Sequence, residues 1–229
     1  MSGIAQILLE LNYKISGSDI KNNCNARRLE KKGAAIFIGH RAENLEKLDV
    51  GAVVVSTAIS DSNPEIAWAR ANNVPIYRRA EVLGYILNNK FGIAVAGTHG
   101  KTTTTSLISM LMESHNLNPT VIVGGEVCDF GGNAKLGGGT YTVVEADESD
   151  SSFLYLTPKV IVATNIEEDH LDYYSGIDQI KTAFAEFFNK VKDGGSIICC
   201  SDNLNINRLK PKMPSRAKII TYGMNPENN

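Results

Sequence analysis

The residues Gly97-Thr98-His99-Gly100-Lys101-Thr102-Thr103 follow an apolar run, Ile93–Ala96, and lead into a segment of helical period. A strand, a glycine-bearing loop, Lys-Thr and then a helix is the order that turns backbone N–H groups and a helix N-terminus toward a polyphosphate. Gly97 and Gly100 supply the backbone freedom for such a loop, Lys101 would reach the β- and γ-phosphates of ATP, and the Thr102 hydroxyl would meet Mg2+. The general phosphate-loop pattern also asks for a glycine where Val95 stands, so the motif alone also reads as an ordinary turn. Two further clusters weigh against that. Glu145-Ala-Asp-Glu-Ser-Asp150 follows the β-branched run Tyr141–Val144 and offers oxygen ligands to a hard cation, or a solvated acidic loop. Thr164-Asn-Ile-Glu-Glu-Asp-His-Leu-Asp172 follows Val160–Ala163 and sets His170 between Asp169 and Asp172, as a metal ligand or as a histidine oriented by a carboxylate. His99 reads as a ligand contact or a spacer, and His40 and His115 as surface residues.

These clusters need a scaffold that brings strand ends together. Strand-like runs occur at Tyr13–Ser16, Ala35–Ile38, Ala52–Val55, Ile93–Ala96, Thr120–Val123, Tyr141–Glu145, Val160–Thr164, Ser196–Cys199 and Lys218–Thr221. Helix-period segments lie between many of them. Ile4, Ile7, Leu8 and Leu11 share a face, as do Leu107, Ile108, Leu111 and Met112, and as do Ile177, Ile180, Ala183, Phe184 and Phe187. Ser62-Asn63 before Pro64 predicts a helix start, and Glu81–Leu87 reads as another helix. Alternating strands and helices predict an α/β chain with a parallel sheet, whose strand C-terminal ends carry the ligand site. The polar tripeptide Asn88-Asn89-Lys90 marks a boundary between units 1–89 and 90–229. The first unit opens on a helix, whereas a doubly wound domain opens on a strand, and the second stops just after one. Both are therefore expected to be incomplete.

Composition narrows the function classes. A chain of 229 residues with a net charge of −2 and no basic run lacks the electrostatic footprint of a nucleic-acid binder. No apolar stretch approaches a membrane span, and the first residues lack the pattern of a signal peptide. Cys24, Cys128, Cys199 and Cys200 show no metal-ligand spacing and read as reduced, buried residues of a cytoplasmic protein. The residues alone thus point to a Mg2+-nucleotide enzyme without specifying its reaction.

The three motifs AGTHGKTTT, EADESDSSFLYL and TNIEEDHLDYY, in this order and spacing, resemble the Mur ligases of peptidoglycan synthesis. Members of that family carry Gly-Thr-x-Gly-Lys-[Ser/Thr] without the upstream glycine, which accommodates Val95. MSGIAQILLELNYKISGSD, STAISDSNPE and YRRAEVLGYIL are similar to the family's UDP-binding domain, so the resemblance covers essentially the whole chain. It implies a Rossmann-like UDP-substrate domain without its first strand, then an ATP-binding domain without its C-terminal part. A third, amino-acid-binding domain would be absent. The implied reaction joins L-alanine to the lactyl carboxylate of UDP-N-acetylmuramate through an acyl phosphate made with ATP. The 229 residues alone are expected to lack turnover. Alternatives are a relative that attaches a tripeptide, and a nucleotide-binding module without ligase activity. The resemblance gives catalytic roles to Lys101, Glu148 and His170. It assigns ATP binding to Gly97–Thr103 and metal binding to Thr102, Glu148 and His170. UDP-substrate contacts fall to Asp19, Ser56, Thr57, Ala58 and Ile59. Small molecules are the implied partners, with no nucleic acid or membrane.

Overall fold

The computed structural model describes residues 1–127 and 132–224. The first unit contains helix α1 (Ser2–Glu10), strand β1 (Ser16–Asp19), α2 (Cys24–Lys31), β2 (Ala35–Ile38) and a single turn, α3 (Glu43–Glu46). It continues with β3 (Val53–Val55), α4 (Pro64–Ala71), β4 (Ile76–Arg78) and α5 (Arg79–Asn88). The second contains β5 (Phe91–Ala96), α6 (Lys101–Ser114), β6 (Thr120–Val127), β7 (Gly132–Lys135), β8 (Tyr141–Glu145) and β9 (Val160–Ala163). Then come α7 (Ile177–Phe188), β10 (Ser196–Cys200), α8 (Leu204–Leu209) and β11 (Lys218–Tyr222).

Seven strands form one sheet in the order β11-β10-β9-β5-β8-β6-β7, parallel throughout except for the β6–β7 pair. The strand feeding the glycine loop, β5, lies at its centre between β8 and β9. Registers Ala96↔Ala163 and Val95↔Glu145 bring the three strand ends to one level. The first unit has two separate parallel pairs, β1–β2 and β3–β4, rather than a single sheet.

Helices cover the large sheet with side chains chosen by the space available. On α7, Ile180, Phe184, Phe187 and Phe188 are buried, and Phe153 packs against Phe184 and Phe187 at centroid distances of 5.2 and 4.6 Å. Such aromatic contacts add roughly 0.5–1.5 kcal/mol each beyond the area they bury. On α6 the apolar face expected from Leu107, Ile108, Leu111 and Met112 is not what the sheet takes. Thr105 and Ser109 are buried, whereas Leu107 and Leu111 are exposed. Burial of those hydroxyls is feasible because each is satisfied within its own helix, Thr105 donating to Lys101 O and Ser109 to Thr105 O. The core also crosses the expected boundary, since Ile4 and Ile7 of α1 and Leu83, Ile86 and Leu87 of α5 join the cluster of the seven-stranded sheet.

Several sequence expectations need correction. The first strand is Ser16–Asp19 rather than Tyr13–Ser16, because residues 16–19 take their register from Ala35–Ile38 while Asn12, at φ 66°, turns the chain after α1. Strands β4 and β7 were not expected; Gly132-Asn-Ala-Lys135 carries no β-branched residue and gains its strand form from pairing with β6. Helices α2, α3 and α8 also went unread. Cys24 is exposed rather than buried, and Cys128 lies outside the described residues. His40 is half-buried and hydrogen-bonded to Ser18 Oγ at 2.8 Å, not a free surface residue. Among the described residues no helix is long and apolar enough to cross a membrane.

Candidate functional site

The order β9-β5-β8 sets the three motifs side by side at the C-terminal edge of the sheet. Val95 is a fully buried residue of β5, so the loop proper begins at Gly97. Gly97 has φ 145°, and a Cβ there would stand 2.0 Å from Thr164 Oγ1. That close approach, together with its φ, excludes any side chain. Gly100 has φ 81° and begins α6 without a side-chain cap, leaving the N–H groups of the first turn available to an anion.

The structure brings Lys101, Glu148 and His170 together. Lys101 Nζ donates to Glu148 Oε1 at 2.7 Å, to Gly97 O at 2.7 Å and to Thr98 O at 3.3 Å. His170 Nε2 lies 3.4 Å from the same Glu148 oxygen. The Glu148 side chain is 2% exposed, and its second oxygen, Oε2, is buried with no hydrogen-bond partner. Burial pushes the Glu148 carboxyl above the usual range, against the opposing pull of Lys101. Asp147 falls below it: burial pushes upward, but hydrogen bonds from Ser149 and the charges of Arg79 and Lys101 outweigh it.

Thr102, expected beside Glu148, instead donates its hydroxyl to both carboxylate oxygens of Glu145 at 3.0 Å. Glu145 sits at the end of β8 and also accepts from Gly124 N–H. Among the described residues no group of three or more His, Cys, Asp or Glu side chains forms a ready metal cage. Mg2+ bound with a nucleotide needs few protein ligands, since phosphates and water supply the rest. The unpartnered Glu148 oxygen and the Thr102 hydroxyl fit that role chemically.

The loop segment Thr98–His99 is held by its neighbour. Asn165 Oδ1 accepts the His99 N–H at 2.9 Å while its Nδ2 donates to His99 O at 3.0 Å, and Thr164 Oγ1 donates to that carbonyl at 2.7 Å. Thr98 N–H donates to Asn165 O, and Thr98 Oγ1 accepts from Glu167 N–H. The N–H groups of Thr98 and His99 are thus taken within the protein, whereas Gly100–Thr103 present the open end of the helix. Asn165 carried no role in the sequence reading. An amide two residues past a strand end, opposite a glycine loop, is too common a feature to carry a signal.

Tyr174 is buried in the turn that carries His170, and its hydroxyl donates to Glu148 O. His170 itself has φ 54°, in the left-handed region. Of the residues expected to meet a UDP substrate, Ser56 and Thr57 line a cavity of about 500 Å³ with Arg79, Asp147, Asp150 and Asp172. Arg79 ties this wall to the acidic loop through Asp147 at 3.3 Å. Asp19 ends β1 and accepts from Lys21 N–H and Asn23 Nδ2. Ala58 and Ile59 occupy the turn after β3, where Ile59 N–H donates to Ser56 O, and neither lines that cavity.

The Mur ligase family catalytic domain matches residues 1–91, and the Mur ligase middle domain matches residues 95–229. The chain belongs to the Mur ligase family. Curated relatives include the UDP-N-acetylmuramate–L-alanine ligase of Geobacter sp. (strain M21), 47% identical over 99% of this chain and 48% of that protein. The enzyme of the same name from Syntrophotalea carbinolica is 48% identical over 99% of this chain and 49% of its own length. This Mur ligase chain thus spans about half the length of the curated relatives it matches. Among solved structures, a UDP-N-acetylmuramate-alanine ligase from Thermotoga maritima superposes with a TM-score of 0.83 at 29% identity, over 97% of this chain and 50% of that one. A UDP-N-acetylmuramate:L-alanyl-gamma-D-glutamyl-meso-diaminopimelate ligase from Neisseria meningitides gives a TM-score of 0.88 at 25% identity, over 96% of this chain and 74% of that one.

Proposed function

We propose that this chain supplies the ATP site and part of the UDP-substrate site of an ATP-dependent ligase joining L-alanine to UDP-N-acetylmuramate in the cytoplasm. The observation that carries the reading is the convergence of Lys101, Glu148 and His170 at three adjacent strand ends. The names of the relatives at 47–48% identity support alanine as the acceptor amine. In this reading the lactyl carboxylate attacks the γ-phosphorus of ATP, ADP leaves, and the amine of alanine then displaces phosphate from the acyl phosphate. Phosphoryl transfer asks the protein mainly for positioning and charge neutralisation. The first-turn N–H groups of α6 and the Lys101 ammonium hold the β- and γ-phosphates, while Gly97, Thr98 and His99 shape the loop. Thr102 and Glu148 would hold Mg2+, which when bound neutralises charge on the transferring phosphoryl group. His170, whose Nε2 lies 3.4 Å from Glu148 Oε1, would hold a second metal, which when bound would add positive charge beside the transferring group. Asp19 and the segment Ser56–Ile59, with Arg79, would form the wall toward the UDP substrate.

The tripeptide-adding reaction is the second reading, favoured by the higher structural similarity to the Neisseria ligase. The two are separated by measuring ADP release with UDP-N-acetylmuramate and ATP, in the presence of either alanine or the tripeptide, using an enzyme of the relatives' length that carries this sequence. Release dependent on alanine supports the first reading, and release dependent only on the tripeptide overturns it. Because the chain spans half the length of its relatives, the 229 residues alone are expected to bind nucleotide without completing ligation; product formed by them would refute that.

A further inference from the structure

Thr98 and His99 stand between two glycines of positive φ, Gly97 and Gly100, and a short stretch between two such swivels has no fixed orientation of its own. What orients it lies on a different strand end. The Asn165 side chain engages both the N–H and the C=O of His99, at 2.9 and 3.0 Å, and Thr164 Oγ1 adds a second donor to that carbonyl at 2.7 Å. The holder is itself anchored. Ile166, the next residue, is fully buried in the sheet's core, and its carbonyl accepts from Asn205 Nδ2 at 2.8 Å. A line of fixed contacts therefore runs from the core through residues 164–166 to the middle of the phosphate loop.

We propose that Asn165, assisted by Thr164, is a positioning residue of the nucleotide site. It holds the His99 peptide so that its carbonyl cannot turn toward an incoming phosphate and the first turn of α6 meets the anion in one geometry. The inference rests on the nucleotide reading given above. It follows that affinity for a polyphosphate depends on a side chain that does not itself touch the ligand. Preorganised donors bind more tightly than donors that must first be ordered, because the ordering cost is met in folding.

The test uses the 229-residue chain and ADP with Mg2+, titrated calorimetrically into the wild type, Asn165→Ala, Thr164→Ala and Thr164→Ser. Asn165→Ala is expected to weaken ADP binding about tenfold or more, and Thr164→Ala about threefold, whereas Thr164→Ser keeps the hydroxyl and the wild-type affinity. Hydrogen exchange followed by nuclear magnetic resonance supplies a signature specific to the clamp. The His99 amide is protected without nucleotide in the wild type and loses that protection in Asn165→Ala. Wild-type ADP affinity in Asn165→Ala with an unprotected His99 amide would overturn the proposal while leaving the nucleotide reading intact. A wild-type chain that binds no ADP would overturn both. Should Asn165→Ala fail to fold, the Thr164 pair decides: equal affinities for Ala and Ser refute the clamp.

Discussion

At the scale of single residues, Glu148 is a buried carboxylate with one oxygen left unpartnered. Its burial opposes the charged form, so its folded pKa lies above the unfolded value. By linkage, the folded state then carries a penalty that is absent below the unfolded pKa and complete once pH has risen through the folded one. Glu148→Gln is therefore expected to raise the unfolding midpoint at pH 7.5 and to leave it nearly unchanged at pH 4.5, as read by scanning calorimetry. The same substitution should abolish the Mg2+ dependence of ADP binding. Stability gained where function is lost is the usual trade at a strained site. Gly97 gives the opposite case. Gly97→Ala would drive a methyl group into Thr164 Oγ1 and Asn165 at an unfavourable φ, so both a lower unfolding midpoint and loss of ADP binding are expected from calorimetry and titration.

At the scale of elements, α6 departs most clearly from its sequence pattern. Leu111→Gln, at an exposed position, is expected to change stability by less than about 0.5 kcal/mol in urea unfolding. Ser109→Leu, at a buried position, is expected to cost about 1–3 kcal/mol by overpacking. A hydrophobicity pattern predicts the reverse, because it registers the period of the apolar side chains and not which face of the helix the sheet takes. The same limit explains what else stayed hidden. β8 (Tyr141–Glu145) and β2 (Ala35–Ile38) were legible to the residue, and Pro64 after Asn63 marked the start of α4, where Asn63 accepts from Glu65 N–H. Gly132–Lys135 was not legible, because its strand form comes from a partner rather than from its own residues. In the site, the three motifs announced themselves by residue type, whereas the pairing of Thr102 with Glu145 and the grip of Asn165 on His99 depend on the register between strands.

At the scale of the whole molecule, the buried cluster is centred on the seven-stranded sheet and includes α1 and α5, while none of the residues of β1–β4 belong to it. The expected boundary is also tied down: Thr157 N–H donates to Asn88 Oδ1, and Lys192 Nζ donates to Asn88 O. Gly84 of α5 lies so close to Tyr155 that a Cβ would stand 2.7 Å from its carbonyl oxygen. Local opening should follow burial rather than sequence order. Native-state hydrogen exchange is expected to show the amides of β1–β4 exchanging through cheaper openings than those of β5, β8 and β9, with α5 tracking the latter group. Exchange of α5 together with β3 and β4 would contradict this division.

The three acceptors around Lys101 have a consequence for ligand choice. An ammonium already engaged by Glu148, Gly97 O and Thr98 O is won by a new anion only through substitution. If a phosphate binds there as proposed, its recognition is a competition with the Glu148 carboxylate, decided by how much negative charge it delivers at that one point. In the nucleotide reading proposed above, a nucleoside without phosphates has nothing to offer in that exchange. On that reading the charge carried by the phosphate chain, rather than the base at its far end, would set the outcome at Lys101.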